Sequence, residues 1–225
     1  MLIVLTNMLA NLKKINIISN ALVFLGFFVT TYVSFVVFYL TYDVVQSPDF
    51  EKYYNYFLYY SGQISSTELE QGHFYYFLTY LISFLVSGAT SELSINELVN
   101  MSVHLTNSLL YVFGIIGIYR YLIEKKFEKN IVLLILISTC FLPAAIVLRI
   151  TFKPEMLVFS LLSWIILYID KFSKSSNSRD AYILIFLLSI ILTAKISTTV
   201  MVLIFLFLLV IYNYKGLVIK KNLKY

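Results

Sequence analysis

The chain has little charge, one cysteine and none of the common catalytic fingerprints, and each scarcity excludes something. Cys140 stands alone inside an apolar run, so there is no internal disulfide and no cysteine-based zinc cluster, and the residue reads as a small core side chain. Charged residues make up 13% of the chain against 60% hydrophobic ones. With a mean hydropathy of +0.85, that balance excludes a soluble domain and defines a polytopic helical membrane protein. No metal motif, P-loop, Rossmann fingerprint, nucleophile elbow or internal repeat is present. The net charge of +5 is no nucleic-acid footprint, because 17 Lys and Arg are what the cytoplasmic loops of a membrane protein collect. The expected partner is the lipid bilayer, not nucleic acid.

What is there is a series of long apolar runs. Between Lys14 and Asp43 no charge occurs over residues 15–42. That is longer than the roughly 20 residues a helix needs to cross a bilayer, and too long for a signal h-region of about 7–15 residues, so it reads as a retained anchor. The apolar candidates are 17–42, 73–89, 101–123, 131–148, 154–169 and 181–214. The last carries only Lys195 and, at 1.5 Å per residue, would be on the order of 50 Å long, so a break near Thr193-Ala194-Lys195 divides it into two spans.

The charges then set the topology. Lys13 and Lys14, the group Arg120, Lys125, Lys126 and Lys129, the group Lys171, Lys174 and Arg179, and the tail Lys215, Lys220, Lys221 and Lys224 all mark the cytoplasmic side. Three apolar candidates lie between Lys14 and Arg120, yet an even number must cross. Residues 73–89 are the weakest, so they are expected to lie at the outer leaflet. The expected fold is an all-α, polytopic transmembrane bundle of about six spans with outer-leaflet juxtamembrane helices. It forms one membrane domain over residues 1–225: a cytoplasmic tail and first span (1–42), an outer loop (43–100), five further spans (101–214) and a cytoplasmic tail (215–225). The cytoplasmic loops read as plain solvated connectors.

This topology gathers the remaining ionisable residues at the outer face. From Asp49 to Tyr60 the sequence has helical period, with Phe50, Tyr53/Tyr54, Phe57 and Tyr60 on one face and Asp49, Lys52 and Tyr56 on another. Such a helix either anchors the loop at the membrane–water interface or places Asp49 and Glu51 where a carboxylate can activate a hydroxyl or bind a divalent cation, Mg or Mn. His73 opens the second outer helix, as an interfacial polar residue or a substrate contact. Arg149-Ile-Thr-Phe-Lys153-Pro154-Glu155 combines a helix start with three ionisable groups, which fits either a cap with snorkelling bases or a phosphate site. Lys195 either snorkels outward or serves a site facing the bundle interior. Asn100-Met101-Ser102 fits a glycosylation sequon, a pattern common by chance.

The order of these elements resembles the N-terminal half of GT-C-type polytopic glycosyltransferases, which use polyprenyl-phosphate sugars. The resemblance rests on the anchor, the acidic-aromatic loop, the Gly72-His73-aromatic helix, the Arg149…Lys153-Pro154-Glu155 turn and the Thr193-Ala194-Lys195-Ile196-Ser197-Thr198 turn. It covers most of the chain by pattern rather than by rigid motif. It implies an integral protein of the bacterial inner membrane with an outward-facing site, transferring a sugar to a glycan, lipid or protein acceptor. It assigns the catalytic base to Asp49, with Glu51 as neighbour and Asp43 as competitor. It gives His73, Arg149, Lys153, Glu155 and Lys195 to substrate binding. Members have about nine or more spans, so a truncated or partial chain is expected. Asp49-Phe-Glu-Lys-Tyr-Tyr-Asn-Tyr-Phe57 also resembles the early loop of EpsG-like or Wzy-like polysaccharide polymerases, although the Arg-Gln pair and later membrane His of those proteins are missing. A non-catalytic membrane subunit or flippase-like fragment is the alternative from another class.

Overall fold

The computed structural model describes residues 50–65, 73–89, 93–175, 177–194, 200, 202–204 and 207, and every regular element among them is a helix. In chain order these are α1 (Phe50–Tyr60), α2 (Phe74–Ala89), α3 (Ile95–Glu124), α4 (Lys129–Phe141), α5 (Pro143–Ile150), α6 (Glu155–Ser175) and α7 (Ser178–Leu192). Two of them, α3 and α6, are long and apolar enough to cross a membrane, and α4 with α5 makes a third if the bent pair is one span. The anchor 17–42 lies outside the described residues, as does most of 200–214. α7 has 15 residues, roughly 22 Å, which is short of a crossing. α2 is apolar but has only 16 residues.

Local chemistry explains where the helices depart from the hydropathy reading. α3 starts at Ile95 rather than near residue 101 because Ser94 and Glu97 form a capping box. The Ser94 N–H donates to Glu97 Oε2 at 2.8 Å, and the Glu97 N–H donates to Ser94 Oγ at 3.4 Å. Two donors that would otherwise be orphaned are satisfied reciprocally. The span expected at 131–148 is broken, with α4 and α5 bent by 54°. Pro143 has no N–H to donate and its ring collides with the preceding turn. It also forces Leu142 into extended backbone, φ −60° and ψ 128°. The Leu142 N–H falls back on the Thr139 carbonyl at 3.4 Å. At α6 the sequence reading holds. The Lys153 and Pro154 carbonyls accept the first amide bonds of the helix, and Glu155 occupies its first turn.

α3 and α6 run parallel and pack closely, because small residues meet along the seam. Gly114 lies against Ser160, and Gly117 against Ser163 and Trp164. Ser163 Oγ donates to the Gly114 carbonyl at 2.8 Å, and Trp164 Nε1 donates to the Phe113 carbonyl at 2.9 Å. Close backbone approach with hydroxyl-to-carbonyl bonds is how helices associate where solvent supplies no hydrophobic drive. One end of the pair is tied by charges. Lys125 and Lys174 both reach Asp170 at 2.6 Å, and Lys171 reaches Glu124 at 2.8 Å. The basic groups around Lys125 and Lys171 therefore share one end of the bundle, as the topology requires. They are not plain solvated connectors, since they close α3 onto α6. Hydrogen bonding to Asp170 holds the Lys125 ammonium above its usual pKa.

Candidate functional site: the end opposite the ion pairs

At the other end of α3 and α6 lie α1, α2 and the turn between α5 and α6. α1 forms where the sequence expects it, but its buried face is shifted. Tyr56, expected on the polar side, is fully buried and stacks on Tyr76 with centroids 4.3 Å apart. Phe57 is buried beside it and meets Tyr80 edge-on. The aromatic surface of α2 recruits these rings from α1, which hydropathy spacing within α1 alone does not reveal. His73 sits just ahead of α2, its carbonyl accepting the Phe77 N–H at 2.9 Å. The Tyr60 hydroxyl and His73 Nδ1 are hydrogen-bonded at 2.6 Å, and the rings of Tyr56 and Tyr60 meet His73 edge-on. Burial is the main cause that pushes the Tyr60 phenol up to about 12, with the Tyr59 and Tyr56 hydroxyls adding to it.

The α5–α6 turn is held by a residue that the charge inventory passed over. Asn107, fully buried on α3, donates through Nδ2 to the carbonyls of Thr151 (2.8 Å), Leu148 and Arg149 (both 3.2 Å). Its Oδ1 accepts from the Tyr75 hydroxyl of α2 at 2.7 Å. Phe152 packs against the rings of both Tyr75 and Tyr76. One side chain thus joins three pieces of structure: the α5 C-terminus, the start of the α6 turn, and α2. The available signal was a polar residue at helical spacing from His104 and Tyr111 in an otherwise apolar run, all three of which are buried.

Of the residues expected to make the site, Asp43, Asp49 and Lys195 lie outside the described residues. Glu51 lies in the first turn of α1. Lys153 and Glu155 sit on the turn held by Asn107, each partly exposed. The Lys153 ammonium makes no ion pair among the described residues. Arg149 is turned away from Lys153 and into the bundle, and is 3% exposed. Its Nε donates to the Ala145 carbonyl at 3.1 Å, its Nη2 donates to the Cys140 carbonyl at 3.0 Å, and its guanidinium lies 4.5 Å over the Tyr111 ring. The Cys140 carbonyl stands next to the break that Pro143 makes, so Arg149 bonds across the bend. Cys140 itself is a buried core residue. Asn100 and Ser102 of the sequon are buried within α3, which removes that position as a surface acceptor. Among the described residues no group of three or more His, Cys, Asp or Glu could hold a metal ion.

No protein-family model, curated protein or solved structure matches the chain.

Proposed function

We propose that the chain is a membrane glycosyltransferase of the GT-C kind, or the N-terminal part of one. It moves a sugar from a polyprenyl-phosphate donor to a glycan, lipid or protein acceptor at the outer face of a bacterial inner membrane. The observation that carries the reading is the packing of α2 onto the Arg149–Glu155 turn through Tyr75, Tyr76, Phe152 and Asn107. The aromatic helices α1 and α2 and the turn that carries Lys153 thus meet at one end of the bundle, opposite the Lys125–Asp170 ion pairs, and the acidic residues ahead of α1 are proposed to lie at that same end. A transferase needs that meeting, because base and departing phosphate act on the same anomeric carbon.

In the proposed reaction Asp49 takes the proton of an acceptor hydroxyl as its oxygen attacks the anomeric carbon. The bond from that carbon to the donor phosphate breaks, and polyprenyl phosphate leaves with the electron pair. Glu51 flanks the base. Lys153, with Lys195, holds the phosphate as its charge develops, and Glu155 and His73 orient the sugar. Cations beside low-dielectric walls stabilise developing charge better than cations in water. A divalent cation at Asp49 and Glu51 is compatible with this chemistry, though no step requires it. The six-span arrangement with both termini cytoplasmic belongs to the same proposal.

The test is sugar transfer by the full-length protein in proteoliposomes, from a short-chain polyprenyl-phosphate hexose. Asp49→Asn keeps the shape and removes the basicity, so turnover should fall roughly 10²–10⁴-fold. Near-normal turnover in that variant moves the base to Asp43 or Glu51. If Asp43→Asn and Glu51→Gln are also active, the enzymatic reading fails and the non-catalytic subunit stands.

A further inference from the structure

Arg149 does more than tie the bend between α4 and α5. Its two backbone bonds use Nε and Nη2. Nη1, which carries two N–H donors, is buried with no hydrogen-bond partner, and the hydroxyl of Tyr111, whose ring lies under the guanidinium, is buried with only the weakly accepting Cys140 sulfur to meet it. No carboxylate pairs with Arg149 among the described residues. Carbonyl oxygens and a ring face offer partial negative charge only, while the guanidinium stays fully charged at any pH the protein meets. Water would fill the open donors and leave the charge uncompensated. A buried, unpaired cation in a membrane bundle marks the place of a counter-charge.

We infer that the bundle contains a membrane-embedded anion site, in which Arg149 Nη1 and the Tyr111 hydroxyl together hold one singly charged anion. The single charge follows from the single guanidinium, since a second negative charge in these apolar surroundings would itself be unpaired. His104 lies two helical turns from Tyr111 on the same buried face of α3. The anion is either a free ion, such as chloride or dihydrogen phosphate, or the phosphodiester of a lipid headgroup. The site goes beyond the transferase reading, because neither Asp49 nor Lys153 takes part in it.

The experiment uses full-length protein labelled with ¹⁵N-arginine in micelles. There are three arginines, Arg120, Arg149 and Arg179, so the guanidinium signals are few enough to separate. Sodium chloride, inorganic phosphate and short-chain phosphatidylglycerol, a singly charged phosphodiester, are titrated separately at constant ionic strength. The Arg149 signal should move saturably with at least one probe, while those of Arg120 and Arg179 drift without saturating. Saturation with chloride or phosphate identifies a free ion, and saturation with short-chain phosphatidylglycerol alone identifies a lipid headgroup. Tyr111→Phe, which keeps the ring under the guanidinium, should weaken binding severalfold, and in Arg149→Lys no saturable guanidinium signal should remain, since Arg120 and Arg179 only drift. A wild-type Arg149 signal that saturates with none of the three probes overturns the site, as does binding unchanged in Tyr111→Phe or a saturating guanidinium signal that persists in Arg149→Lys. Sugar transfer lost in Asp49→Asn leaves either result untouched, so the two proposals fail separately.

Discussion

The seam between α3 and α6 makes a sharp prediction at Gly117. A Cβ added there would lie 2.3 Å from Ser163 Oγ and 2.9 Å from both Cδ1 and Nε1 of Trp164. The hydroxyl can rotate away, but doing so breaks its 2.8 Å bond to the Gly114 carbonyl. The indole has less freedom, since Nε1 is bonded to the Phe113 carbonyl and its ring stacks on Phe113 at 4.9 Å. Removing glycine from a helix interior favours the variant by about 0.5–1 kcal/mol. Overpacking opposes it by about 1–3 kcal/mol. A lost interhelical bond in a membrane protein adds about 0.6 kcal/mol. Gly117→Ala should therefore destabilise the bundle by roughly 1–2 kcal/mol. Trp164 is the single tryptophan, so its fluorescence during SDS titration in mixed micelles reports on this contact directly. Ser163→Ala removes the atom at 2.3 Å, and in its background the cost of Gly117→Ala should shrink by about half, a coupling of the size neighbouring residues show. A Gly117→Ala protein at least as stable as the parent, with unchanged Trp164 emission, would refute the close approach of these helices.

Three further outcomes are expected. Asn107→Leu, similar in size, removes the side-chain donor to three carbonyls and the acceptor of the Tyr75 hydroxyl and should cost roughly 1–3 kcal/mol in the same titration, with proteolytic cleavage appearing at the α5–α6 turn. Asp170→Asn should lower stability by less than about 1 kcal/mol, with the difference vanishing in high salt. Because Asp170 raises the Lys125 pKa, that contribution is complete below the unfolded lysine value of about 10.4 and is lost as pH rises through the higher folded value, which an alkaline stability series would detect. In a Cys140→Ala background, Ser65→Cys should react with an impermeant maleimide from outside and Ser176→Cys only after permeabilisation; labelling of both from one side sinks the topology.

Much of the frame was legible because charge and proline act locally. Lys125 and Lys171 were assigned to one side by counting basic residues, and their pairing with Asp170 and Glu124 puts both at one end of the α3–α6 pair. The start of α6 at Lys153-Pro154-Glu155 followed from helix-start chemistry. Pro143 carried the same kind of signal, but an apolar run of ordinary span length concealed the break. The site was less legible, because the direction of a side chain depends on what packs against its helix. Arg149 and Lys153 are four residues apart, yet Thr151 and Phe152 leave the helix between them, and one cation turns inward while the other stays partly exposed. Asn107 and Gly117 are unremarkable in an apolar run, and only the neighbouring helices give them a role.

The tie between Arg149 and its surroundings also bears on how the protein enters the membrane. A lone arginine costs about 2.5–3.5 kcal/mol at the centre of an inserting helix on insertion scales, and less in the last turn, where Arg149 stands. Within residues 129–150 that charge can reach the Ala145 and Cys140 carbonyls, but the ring beneath it belongs to Tyr111 on α3. Synthesis delivers α3 before α4 and α5, so the ring is already in place when the arginine arrives. Moved ahead of α3 in a rearranged chain, the same segment would meet the insertion machinery without that ring, and it would wait at the interface until α3 followed.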